Sequence, residues 1–115
     1  MKIISLIALS ALVAACGSSM AAPNERLAST DAAIRSAREL GAQNDPQAAL
    51  HLKLADEQAQ QARTLMQDGD NKRADLVLQR ASSDAELAVM IAKEKAAKTE
   101  AAKSHEVLDA KKAGK

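Results

Sequence analysis

The chain has 115 residues, a net charge of +1, one Cys and no Phe, Tyr or Trp. The balanced charge and the lack of aromatics exclude a strongly basic or base-stacking nucleic-acid binder, and one Cys excludes an intramolecular disulfide. About half of the 47% hydrophobic content is Ala, so helices form readily while the core they enclose stays thin.

Met1-Lys2 is a short positive start, and residues 3–15 carry no charge. By length and flanks this is the apolar region of a secretory signal peptide, too short to span a bilayer, which takes about 20 apolar residues. It ends in Val13-Ala14-Ala15-Cys16, which resembles the lipobox of bacterial lipoproteins. Small residues before the cut suit the peptidase, and the Cys16 thiol is the candidate lipidation site. Two or three acyl chains there would make the membrane a stable partner. The resemblance implies cleavage after residue 15, and Gly17 in place of Asp implies outer-membrane sorting, facing the periplasm. A cut after Ser19-Met20-Ala21 stays open; it would give a soluble periplasmic protein. Residues 16–23 read as a flexible lipidated tether.

The helical domain is expected over residues 24–92. Asn24 is an N-cap type, and Leu27, Thr30, Ile34, Ala37 and Gly41 recur at three and four, a helical period that Ala33 and Leu40 widen. Asp31 and Arg35 stand at i,i+4, the favourable order for a pair. Asn44-Asp45-Pro46 opens a second helix, with Asp45 as N-cap and Pro46 in the first turn. Its apolar line is Ala48, Leu52, Ala55, Ala59, Ala62 and Met66, with Gln58, Gln60, Gln61 and Arg63 on the wet side. Asp68-Gly69-Asp70-Asn71 is a turn. The third helix has its seam at Ala74, Leu78, Ala81, Ala85, Ala88 and Ala92, thickened by Val77, Leu87 and Ile91. Met66 and Met90 read as core filler.

The apolar period fades after Ala92, and residues 93–115 form a charged Ala/Lys-rich helix extension with a frayed end from Lys111. Glu94–Lys98 and Glu100–Lys103 are spaced as intrahelical pairs. A third helix running to Ala110 would reach about 60 Å at 1.5 Å per residue. Charge is uneven: residues 17–92 hold 8 basic and 11 acidic side chains, and residues 93–115 hold 7 and 4. The fold class is all-α, either a three-helix up-down arrangement or a helical hairpin with a loosely docked first helix.

Three blocks recur in a familiar order: Asp31-Ala32-Ala33-Ile34 with Ala37, Gly41-Ala42 and Pro46; Leu54-Ala55 with Ala59, Ala62 and Gly69-Asp70; and Ala74, Ala81 and Asp84-Ala85-Glu86-Leu87-Ala88. Together, over about residues 25–97, they resemble the domain of unknown function 4398, a family of small helical envelope lipoproteins whose segment also precedes OmpA-like peptidoglycan-binding domains. The family often has an aromatic after Gly-Asp, where this chain has Asn71. The resemblance implies an envelope location and a helical fold, and no reaction.

No catalytic, cofactor-binding or metal-binding constellation is expected. His51 and His105 are the only histidines, without metal-ligand spacing, and the carboxylates suggest no dyad. The sequence therefore points to a non-enzymatic structural or interaction module, with self-association or an envelope protein as partner. An accessory or chaperone-like lipoprotein holding a partner helix is the alternative. Lys115 offers an amine that, by resemblance to the major murein lipoprotein, could join peptidoglycan; a solvated basic tail is the plainer reading.

Overall fold

The computed structural model describes residues 19–114; the expectations for residues 1–15, Cys16, Gly17 and Lys115 lie outside the described residues. Three helices follow one another: α1 Asn24–Glu39, α2 Pro46–Gln67 and α3 Asn71–Ala113, with a 3-10 turn at Ala42–Asn44 between the first two. No strand occurs among the described residues.

The helix starts differ in how they are capped. Asn24 is not a cap: it lies inside α1, and Pro23 precedes it without a side-chain bond. The Pro23 carbonyl already accepts the Leu27 amide at 3.0 Å, so the helical register begins one residue earlier than expected. Asp45 does cap α2, accepting the amides of Gln47 and Ala48 at 3.0 Å each, with Pro46 as the first helical residue. Asp70 caps α3 through the Arg73 amide at 3.3 Å.

Both reversals pass through glycines in the left-handed region. Gly69 has φ +78; its amide bonds to the Met66 carbonyl, and the Asp70 amide reaches the Leu65 carbonyl at 2.8 Å. These two bonds are the paired closure of a Schellman motif, which needs a residue free of a Cβ at that point. Gly41, at φ +77, ends α1.

The helices run up, down and up. Arg26 meets Asp75 at one end of α1, so α1 and α3 are parallel, while Asp31–Arg63 and Arg38–Asp56 set α2 antiparallel to α1. His51–Asp84 and Asp45–Lys95 set α2 antiparallel to α3. The first helix is firmly docked, with Thr30, Ile34 and Ala37 buried, which selects the three-helix arrangement over the hairpin. The buried Thr30 hydroxyl donates to the Arg26 carbonyl at 2.8 Å, so it enters the core with its donor satisfied.

All six expected seam residues of α3 are buried, as are Ala48, Leu52, Ala55, Ala59 and Ala62 of α2. The margins of the stripes behave differently. Leu40 and Leu87 are 38% and 39% exposed, and Met90, at 66%, fills no core position. Gln58 and Arg63 are half-buried rather than wet, because each reaches a carboxylate on a neighbouring helix. Asp31 pairs with Arg63, at 2.6 Å, and not with Arg35: the docked helix brings Arg63 Nη2 within reach of both Asp31 oxygens.

No described residue beyond Ala92 is buried, yet α3 continues to Ala113, past the expected fray point at Lys111. Lys111 and Lys112 in the last turn favour the negative end of the helix dipole there. The helix measures about 65 Å at 1.5 Å per residue.

Leu78 is the largest fully buried apolar side chain among the described residues, in a core otherwise made mostly of methyl groups. Leu78→Ala is expected to cost about 2–5 kcal/mol, read as a lower urea midpoint with a helical native spectrum.

Candidate interaction surface

The surface is built from what flanks the alanine seam. On the α1 side, Arg26 Nε donates to Asp75 Oδ1 at 2.5 Å, Arg38 to Asp56, and Arg63 Nη2 to both Asp31 oxygens. Such partly exposed pairs add little stability each; their use is to fix the rotation of α1 on the other two helices.

On the opposite side, α2 and α3 are joined by a polar cluster. His51 Nδ1 lies 2.9 Å from Asp84 Oδ1, and Gln58 Nε2 donates to Asp84 Oδ2 at 2.8 Å. A carboxylate only accepts, so the His51 proton in this contact sits on Nδ1. His51 and Gln58 are two turns apart on α2, and the antiparallel packing brings both to one residue of α3. The sequence does not disclose this cluster, because spacing along the chain says nothing about a partner 33 residues away. The available signal was their common placement at positions flanking the seam. Ser83 precedes Asp84 in the chain, and its hydroxyl donates to the Gln79 carbonyl of its own helix.

Gln58 and Asp84 form one wall of an open groove of about 490 Å³, completed by Leu76, Gln79, Arg80 and Ser83 of α3. Leu50, Leu76, Leu87 and Met90 are large apolar residues left exposed in α2 and α3.

At the end of the bundle, Lys95 Nζ donates to the Asn44 carbonyl at 3.1 Å and meets Asp45 Oδ2 at 3.4 Å. Beyond it α3 projects alone, exposed through Gly114. Lys98 pairs with Glu94 as expected; Glu100–Lys103 is not among the ion pairs formed by the described residues. Val107 and Leu108, both about half exposed, share a shallow face with Glu100, Lys103 and Ser104. His105 lies on this projecting segment, exposed. No group of three potential metal ligands occurs among the described residues, and no described helix is long and apolar enough to cross a membrane.

At the other end, the segment leading into α1 is held by Asn71. Its Nδ2 donates to the Met20 carbonyl at 2.8 Å. The polar residue at this position therefore fastens the segment leading into α1 to the α2–α3 turn.

These features define a small all-α module in which one helix outruns a three-helix bundle. The chain belongs to the family described as Domain of unknown function (DUF4398), whose model matches residues 25–104. The match begins in the first turn of α1 and takes in the first half of the projecting segment. No curated protein and no solved structure matches the chain.

Two carboxylates give the bundle a defined acid response. The Ala48 amide, against partial burial and with help from Lys95 and the Gln47 amide, holds Asp45 below the usual carboxylate range. Arg26, against partial burial and with help from Gln79, does the same for Asp75. Both bind a proton less tightly folded than unfolded, so their contribution is full above the unfolded value of about 3.9. It is lost as pH falls through the lower folded values. The urea midpoint is expected to drop below about pH 4, and to drop less steeply in the double variant Asp45→Asn, Asp75→Asn. Removal of residues 100–115, which bury nothing among those described, is expected to leave the melting temperature unchanged.

Proposed function

We propose that this chain is a lipid-anchored envelope lipoprotein whose helical body is a non-enzymatic structural and interaction module. The observation that carries the reading is Val13-Ala14-Ala15-Cys16 closing an uncharged stretch that follows Met1-Lys2. Small residues before the Cys suit a signal peptidase, and the thiol with the freed α-amine provides the two acylation points that stable anchoring requires. Gly17 after the Cys supports the outer membrane, with the body facing the periplasm. The absence of a membrane-spanning candidate among the described helices is compatible with attachment through lipid. Membership in a family of unknown function adds no reaction to this reading.

Intact mass spectrometry of the native protein tests the anchor. The expected mass is that of a chain starting at Cys16 with diacylglycerol and a further acyl chain, and Cys16→Ser should yield an unacylated precursor. A native chain starting after Ala21, without lipid, would sink the proposal.

A further inference from the structure

The bundle has two unlike ends, and the chain enters it at only one of them. Met20 is bonded to Asn71 at the α2–α3 turn, and Arg26, in the first turn of α1, is bonded to Asp75. Pro23, Asn24 and Arg26 share one surface hollow with Met20 and Asp75. The segment leading into α1 and the Gly69 turn therefore occupy the same end. The opposite end is marked by Lys95 on Asn44 and Asp45, and α3 runs on from there to Ala113.

Chain length ties Cys16 to the first of these ends. Four residue steps separate Cys16 from Met20, which span at most about 14 Å. Along α3, Asn71 and Ala113 are separated by 42 steps, about 63 Å. The stretch from Lys95 to Ala113, which projects past the bundle, accounts for about 27 Å of this.

From these lengths we infer that the α2–α3 turn is the surface that faces the lipid headgroups, and that the projecting part of α3 is the membrane-distal end. This inference rests on lipid attachment at Cys16. The tether is shorter than the body by several-fold, so the attachment point selects the end. Charge does not compete with it at the turn, where Asp68 and Asp70 stand against Lys72 and Arg73. Residues 93–115 are basic, 7 against 4, and would favour an anionic surface only if the rod lay flat. A rod lying flat is the arrangement that competes with this orientation, and an anionic bilayer is the surface that would draw it down. Val107 and Leu108, with Glu100, Lys103 and Ser104, are then displayed far from the anchoring membrane.

The test uses the full-length lipidated protein reconstituted in vesicles containing nitroxide-labelled phospholipid headgroups. Acylation occupies the one native thiol, so Asp68→Cys or Ala110→Cys supplies a single site for a fluorophore; both positions are exposed. The label at 68 is expected to lose most of its fluorescence, and the label at 110 to keep it. The same pattern is expected in phosphatidylcholine alone and with phosphatidylglycerol added. Quenching of both labels, or of position 110 once phosphatidylglycerol is present, would overturn the orientation. Labelling of Cys16, seen by mass as two fluorophores per chain, would instead overturn the lipid anchor on which it rests.

Discussion

The close approach of α2 and α3 along facing alanines is the constraint on which the molecule depends. With Ala48, Ala55, Ala59 and Ala62 on one side and Ala74, Ala81, Ala85, Ala88 and Ala92 on the other, the two most extensively packed helices have little but methyl groups along their buried faces. Each methyl buries little area, so stability comes from many small contacts, supplemented by Leu52, Leu78 and Ile34. Dense packing leaves little room for adjustment: a larger side chain on this seam would drive the helices apart. The same closeness brings flanking side chains within reach of one another across the helix pair. Asp84 can hold His51 and Gln58 together because the seam between them is so narrow.

That narrow seam also explains which features the sequence disclosed. A stripe repeating at four and three residues is legible because burial depends on local geometry alone, and the buried residues of α2 and α3 match it. The Asp45 cap and the Gly69 turn were legible for the same reason, as their chemistry is complete within a few residues. Asp31 shows where this ends. Read locally, it belongs with Arg35; in the fold it belongs with Arg63, which is 32 residues away. The docking of α1, the contact of Asn71 with Met20 and the cluster around Asp84 all depend on which helix face meets which, and periodicity leaves that open. Leu40, Leu87 and Met90 erred in the opposite sense, as apolar residues on the shoulder of a stripe too narrow to cover them.

The projecting part of α3 obeys a different logic from the bundle. It buries nothing, so its helicity rests on Ala-rich propensity, the Glu94–Lys98 pair and nucleation already completed inside the bundle. A helix begun elsewhere needs only propagation to continue, which is why this segment extends to Ala113 without a partner. Its surface is accordingly free of the requirements of folding, and its composition can answer to whatever it meets.

Bundle and projection are one unbroken helix. Between Asn71 and Ala113 there is no Gly and no Pro, the residues at which helices most readily bend. The mechanical consequence is a lever without a hinge. A lateral load at the far tip cannot be absorbed by rotation at the bundle's edge, and passes as torque into the alanine seam. The arm outside the bundle, beyond Lys95, is somewhat shorter than the arm packed within it, so the packed contacts work at comparable leverage against that load. The turn at Gly69 sits at the inner end of this lever, where displacement of the tip would be felt by the segment leading back to Met20.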